Sequence, residues 1–111
     1  MFKKYAPHIS FLTLLLLVSC ATKPQSDVDT PEYHFKAGMR AIDNEDYQQS
    51  ITSFQRSVDL DSKFALGYGG LGLANAYLKN NKNAKDFASK CASRGSKDPD
   101  ALSLSARVWI T

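Results

Sequence analysis

Residues 47–61 read YQQSITSFQRSVDLD, and this stretch decides the fold. Its apolar side chains recur at Tyr47, Ile51, Phe54 and Val58, at intervals of four, three and four positions. Residues at these intervals lie on one face of an α-helix, whereas a half-buried strand alternates apolar and polar side chains. The stretch therefore predicts an amphipathic helix that packs one face against its neighbours.

Helical patterns flank this stretch on both sides. Thr30-Pro31 and Asp98-Pro99 each combine a capping side chain with a proline at the first helical position, which predicts two helix starts. Gly95 is a suitable residue to follow a helix end. Polar breaks separate five helical segments, which start near residues 31, 47, 64, 84 and 98. The sequence therefore predicts an all-α fold.

The sequence is similar to itself at the offset that aligns Gly38 with Gly72. We call this offset the repeat shift. Self-similarity at a period of about 34 residues indicates stacked helix-turn-helix units. A small residue opposite a large one lets two helices approach closely, so Gly38 and Gly72 are predicted to be packing residues despite the low helix propensity of glycine. The other matching pairs are Ser50 with Ala84, Ser57 with Cys91, and His34 with Tyr68.

This period, with its layout of small and large residues, resembles the tetratricopeptide repeat (TPR) family. Tyr47 stands at the family's turn aromatic and Phe54 at its packing aromatic, while Ser50 and Ser57 occupy its two small positions. The resemblance implies about two TPR-like repeats plus a C-terminal helix in residues 31–111, stacked as a short right-handed solenoid.

The second repeat departs from the family pattern. Asn75 and Asn81 stand where aromatic residues are usual, and a small insertion is expected near residues 80–82. A generic helical-hairpin protein with coincidental spacing is the alternative interpretation.

In the TPR family, the first helix of each repeat lines a concave groove that binds a partner. The resemblance places mostly apolar residues there, which suits an amphipathic helix or an extended peptide with apolar anchors. The alternative is that the fifth helix or neighbouring repeats cover these residues. The predicted partner-binding residues are Phe35, Met39, Ile42, Leu66, Leu73 and Tyr77.

Residues 11–20, FLTLLLLVSC, end in a motif that resembles the lipobox of bacterial lipoproteins. Lys3 and Lys4 precede an apolar run of about 10 residues, which is typical of a signal peptide and too short for a spanning helix. The resemblance implies that residues 1–19 are removed, that Cys20 carries the lipid, and that residues 20–30 form a flexible tether.

The lipobox resemblance also implies a location. Ala21 after the cysteine resembles lipoproteins that are exported to the outer membrane, so we expect a lipid-anchored envelope protein that faces the periplasm. The alternative is an ordinary signal peptide that is cleaved at Ser19-Cys20-Ala21.

Charge is balanced overall but unevenly distributed. Without Lys3 and Lys4, 12 basic side chains face 11 acidic ones, which does not indicate a nucleic-acid partner. Residues 24–61 carry eight acidic and three basic side chains, whereas residues 62–97 carry one acidic and seven basic ones. The basic half could meet anionic lipid headgroups or the acidic end of another copy, although a solvated helix face is the simpler interpretation.

No set of residues indicates catalysis, a metal or a cofactor. His34 occupies a packing position, and Cys91 lies on an apolar stripe rather than beside a base. Neither residue belongs to a group of three or four ligands such as zinc requires. The sequence therefore predicts a protein that is not an enzyme.

The predicted function is that of a membrane-anchored adaptor or scaffold. Its repeats would bind another envelope protein or peptide segment, for example during pilus, secretin or other envelope-complex assembly. Two alternatives rest on the apolar chain end at Trp109: a structural lipoprotein that forms a homo-oligomer through this region, or the truncated N-terminal part of a longer TPR protein.

Overall fold

The computed structural model describes residues 28–111. The predicted signal segment, the lipidation site Cys20 and most of the predicted tether therefore lie outside the described residues. The described part is all-α, as predicted, and contains no strand. Its five helices are α1 (Pro31–Asp43), α2 (Tyr47–Leu60), α3 (Ala65–Tyr77), α4 (Asn81–Arg94) and α5 (Pro99–Ile110).

Capping side chains begin three of the helices. The hydroxyl oxygen of Thr30 accepts a hydrogen bond from the amide of Tyr33 at 3.2 Å, and Pro31 follows it at the first helical position. The carboxylate of Asp98 caps α5 in the same way, and that of Asp46 caps α2. These side chains satisfy amides that the first turn of a helix leaves without an intrahelical partner.

The helix bounds follow the repeat shift without deviation. The bounds of α3 and α4 are those of α1 and α2 moved by this shift. Helix α5 begins at Pro99, which the same shift relates to Ala65, the first residue of α3. The insertion expected near residues 80–82 is therefore absent, and that expectation was wrong. The turn between α3 and α4, residues 78–80, has the same length as the turn between α1 and α2, residues 44–46.

The two turns also share one backbone conformation. Glu45 and Lys79, which the repeat shift relates to each other, adopt φ values of 60° and 64°, and all other described non-glycine residues have negative φ. Each turn is closed by an amide that reaches back five residues, from Asp46 to the carbonyl of Ala41 and from Asn80 to the carbonyl of Asn75, both at 2.9 Å. This is the Schellman pattern of hydrogen bonds at a helix C-terminus.

The sequence suggested Gly95 as a residue that suits a helix end, but the structure gives a different reason for glycine at this position. Its φ is −110°, so it does not adopt the left-handed conformation that makes glycine common after helices. A Cβ atom at this position would lie 2.3 Å from the Cβ of Ala101. Gly95 is therefore required by the close approach of α5.

Helix α3 lies at the centre of the molecule and packs against the other four helices. Every residue from 65 to 76 is buried except Leu66, which is half-buried. Helices α1 and α5 both pack on α3 but not on each other, and α2 and α4 also make no mutual contact. Each helix therefore packs only on its first and second neighbours in the chain.

Two predicted packing glycines are confirmed. A Cβ atom on Gly38 would lie 2.5 Å from the ring of Phe54. A Cβ atom on Gly72 would lie 3.1 Å from the backbone oxygen of Ala84 in α4. Both glycines lie where a helix contacts the next helix in the chain.

Candidate partner-binding groove

A surface groove of about 240 Å³ lies where α1, α3 and α5 meet. Phe35 of α1 and Leu66 of α3 are half-buried in it, and Leu104 of α5 is buried beside them with 7% exposure. The polar part of the lining comes entirely from α5. The six lining residues are Phe35, Leu66, Asp100, Ser103, Leu104 and Arg107.

Aromatic contacts hold Phe35 in place. Its ring centroid lies 5.8 Å from that of Phe54, which is fully buried, and 6.1 Å from that of Phe64, which it meets edge to face. Both distances are typical of favourable aromatic pairs. The core therefore holds the Phe35 ring in place without the help of a ligand.

The polar residues lie on one face of α5. Asp100, Ser103 and Arg107 are spaced by three and four positions and are all exposed. They place a carboxylate and a guanidinium about two turns apart beside the apolar lining. The groove can therefore accept an apolar side chain and orient charged groups of both signs around it.

The structure brings only two of the six predicted groove residues together, Phe35 and Leu66. Met39 is half-buried against the core, and Tyr77 stacks on Tyr47 with ring centroids 4.9 Å apart. Neither of these two lines the groove.

The remaining two predicted residues belong to the core. Ile42 is 5% exposed and Leu73 is 0% exposed. These two residues agree with the alternative interpretation, in which other helices cover the predicted groove residues. A charged substitution at Leu73 would therefore disrupt the core rather than test a binding surface.

The contribution of α5 was missed, although the sequence contained a signal for it. The repeat shift moves three positions of α3 that the resemblance predicted to face the groove, Leu66, Gly69 and Leu73, to Asp100, Ser103 and Arg107. Extending the repeat register into the fifth helix would have identified all three polar lining residues.

Comparison with protein-family models, curated proteins and solved structures finds no match. The geometry of the described residues therefore carries the functional argument.

A second depression, of about 260 Å³, lies where α3, α4 and the end of α5 meet. The ammonium group of Lys85 lies 5.7 Å from the centroid of the Trp109 ring. Such cation–π contacts contribute about 0.5–1 kcal/mol at exposed sites. The lining residues are Ala76, Asn81, Ala84, Lys85, Val108, Trp109 and Thr111.

The titratable side chains singled out in the sequence have structural partners. Nε2 of His34 lies 2.8 Å from Oδ1 of Asp29, and the guanidinium of Arg56 also donates to this carboxylate. These hydrogen bonds, that of Arg56 above that of His34, hold the pKa of Asp29 below its usual value. The three residues connect the segment before α1 to α2.

Cys91 is fully buried, and its sulfur lies 3.2 Å from the carbonyl oxygen of Ala101. Burial raises the pKa of this thiol, which keeps it protonated. Within residues 28–111, His, Cys, Asp and Glu side chains do not gather in groups of three that could hold a metal ion. None of the helices in the same range is long and apolar enough to cross a membrane.

Part of the basic surface of α4 is in contact with aromatic rings. The guanidinium of Arg94 lies 4.6 Å from the ring centroid of Tyr68, and its Nε donates to the carbonyl of Ser62 at 3.0 Å. The ammonium of Lys90 lies 5.8 Å from the ring centroid of Tyr68 and 5.5 Å from that of Phe87. These side chains therefore help to hold α4 against α3.

Proposed function

We propose that this chain is an envelope lipoprotein that works as a protein–protein adaptor, anchored through a lipid on Cys20. Its helix-turn-helix units are TPR-like repeats, stacked as a short solenoid. The groove between α1, α3 and α5 is the partner-binding surface. The observation that carries this proposal is the half-buried pair Phe35 and Leu66 beside exposed charges on α5.

The helix contacts support the repeat architecture. The identical shift of helix bounds and turns, and the packing of each helix on its first and second neighbours only, are expected for stacked repeats. In such a stack the first helix of each unit lies on one side, which places α1, α3 and α5 around a common groove.

The groove favours a short peptide segment as its ligand. A cavity of about 240 Å³ is near the lower limit for small-molecule sites and accommodates one or two apolar side chains. Arg107 suits an acidic residue and Asp100 a basic residue on either side of this anchor. The partner is therefore a segment of another envelope protein with an apolar residue between charged ones.

A cross-linked pull-down from intact cells tests the adaptor function. Arg107→Glu reverses an exposed charge in the groove, so we expect the cross-linked partner to be lost while circular dichroism stays unchanged. The matched control is Lys82→Glu, an exposed charge reversal on α4 outside the groove, which should keep the partner. Recovery of every partner with Arg107→Glu would contradict the proposed groove.

The anchor is tested separately. A Cys20→Ser variant should incorporate no labelled palmitate and should leave the membrane fraction, because a thioether cannot form on serine. Continued lipid labelling of this variant would refute the assignment of Cys20.

A second candidate function is self-association through the Trp109 region. It is favoured by the exposed apolar side chains Leu102, Trp109 and Ile110 of α5. This surface lies on a different face of α5 from the groove, so both functions are compatible.

A further inference from the structure

One face of α5 is apolar and exposed. It consists of Leu102, Ala106, Trp109 and Ile110, here called the α5 stripe. The three large side chains are 43%, 56% and 85% exposed. The other face, with Ala101, Leu104, Ser105 and Val108, is buried. Helix α5 is therefore apolar on two faces, and the described residues cover only one of them.

The repeat register shows what kind of element the stripe fits. Ala106 stands where Gly72 stands in α3 and Gly38 in α1. Gly38 lies against Phe54 of α2, and Gly72 lies against the backbone of α4. The two equivalents of Ala106 thus lie against the helix that follows, so the centre of the stripe suits the close approach of a helix.

The pattern of the stripe is complementary to itself. Leu102 and Ile110 each lie four positions from Ala106, which is about 6 Å along the helix axis on either side. When two α5 helices cross antiparallel at Ala106, Leu102 of each copy faces Ile110 of the other copy. The small residue at the centre permits a close approach, as Gly72 does between α3 and α4.

We propose that two copies of this chain pair through their α5 stripes, antiparallel about a two-fold axis at Ala106. The pairing deepens the second candidate function and does not depend on the groove. The stripe itself contains no charged residue, and Lys85 of α4 lies beside it, against the Trp109 ring.

Such pairing closes at two copies. Each copy uses its α5 stripe, and at the other end of the described residues the exposed side chains of α1 and α2 are polar apart from Tyr33, so these two helices offer no equivalent surface for a third copy. Those polar exposed residues are Glu32, Lys36, Arg40, Asp43, Gln48, Gln49, Thr52, Gln55, Arg56 and Asp59.

The expected affinity is low. A stable interface buries about 800 Å² on each partner, and one face of a 12-residue helix offers less. We therefore expect a dissociation constant in the micromolar range, with a dimer fraction that rises with protein concentration.

Sedimentation velocity of the full chain in detergent, up to about 100 μM, tests the proposal. The wild-type chain should form a dimer. Leu102→Glu and Ile110→Lys should each weaken the dimer at least tenfold, because each places two charges in an apolar contact. Thr52→Glu, an exposed substitution on α2, which does not pack on α5, is the matched control and should dimerise like the wild type.

The double variant Leu102→Glu/Ile110→Lys tests the geometry. In the antiparallel pairing each glutamate meets a lysine of the other copy, so the dimer should return. In a parallel pairing like charges meet, and the chain should stay monomeric. This result would overturn the proposed geometry, although self-association itself would stand.

Two outcomes overturn the α5 pairing itself. If the wild type remains a monomer at every concentration, the second candidate function fails too and the stripe belongs to a helix of another protein. If Ile110→Lys dimerises like the wild type, self-association uses another part of the chain. The pull-down with Arg107→Glu is unaffected by either outcome, so the adaptor function is judged independently.

Discussion

At the residue scale, one aromatic ring joins the two halves of the helical array. Phe54 is fully buried, and Cβ atoms added to Gly38 of α1 or Gly70 of α3 would lie 2.5 Å and 2.3 Å from its ring. The sequence predicted Phe54 as the packing aromatic and Gly38 as a packing glycine. It did not predict Gly70, because the helix face that meets Phe54 depends on how α3 packs against α2.

Gly70→Ala distinguishes helix propensity from packing. Alanine favours a helix by about 1 kcal/mol over glycine, but its Cβ would overlap the Phe54 ring. Overpacking a core costs about 1–3 kcal/mol. We therefore expect lower stability in urea unfolding, with partial recovery in Gly70→Ala/Phe54→Leu. Ser89→Ala, at an exposed helical position, should leave stability nearly unchanged; equal behaviour of the two single variants would contradict the packing role of Gly70.

Asp29 gives stability a dependence on pH. Its pKa is lowered in the folded chain by the hydrogen bond from Arg56 and then by that from His34. The ionised carboxylate therefore stabilises the fold above its unfolded pKa of about 3.9, and this contribution disappears as pH falls through the lower folded pKa. Asp29→Asn should be less stable than the wild type at pH 7, and the difference should shrink below about pH 4.

Urea unfolding at several pH values measures this difference. Asp86→Asn, a change of an exposed carboxylate on α4, serves as the control and should not show the trend. A difference between Asp29→Asn and the wild type that stays constant down to pH 2 would exclude the proposed electrostatic origin.

At the element scale, the starts of α1 and α5 were the most predictable boundaries, whereas α4 begins at Asn81 and not near residue 84 as predicted. The Thr30-Pro31 and Asp98-Pro99 signals act within one turn, so their sequences suffice to place the starts of α1 and α5. The conformation of the turns was less predictable. Glu45 and Lys79 adopt the left-handed region, where glycine is usual, because the repeated turn geometry imposes it.

Lys79→Gly should stabilise the chain. The left-handed conformation costs a residue with a side chain about 1–2 kcal/mol, and the greater freedom of glycine in the unfolded chain offsets part of this gain. We expect a net increase of about 0.5–1 kcal/mol in the free energy of unfolding, measured by thermal or urea denaturation. Ser89→Gly, within α4, should instead lower stability. A loss of stability in both variants would show that Lys79 is not strained.

The candidate site shows where sequence reasoning stops. The repeat resemblance predicted Phe35 and Leu66 as groove residues, and both line the groove between α1, α3 and α5. It could not show that Leu73 is covered, because α3 presents apolar side chains all round and only packing decides which of them remain accessible. Arg107 and Asp100 were not predicted, because the groove positions implied by the resemblance were assigned to the first and third helices only.

At the scale of the whole molecule, stability is concentrated in α3. This helix contains four glycines and has low intrinsic propensity, yet it contacts all four other helices. Its helical state therefore comes from packing rather than from its own sequence.

Hydrogen exchange should reflect this arrangement. Amides of residues 65–76 open only when the surrounding helices separate, so we expect them to exchange most slowly in mass-spectrometric measurements. Amides of α1 and of the second half of α5 should exchange faster, since each of these helices packs on two neighbours only. Exchange in α3 that is as fast as in α1 would contradict a central role for this helix.

The absence of packing between α1 and α5 has a mechanical consequence. Phe35 and Arg107 stand on opposite walls of the groove, and their helices are joined only through α3. Rotation of α1 or of α5 about its contacts with α3 would therefore change the width of the groove without breaking a contact between the walls. If a peptide binds both walls, as proposed above, it would fix the orientation of α1 relative to α5.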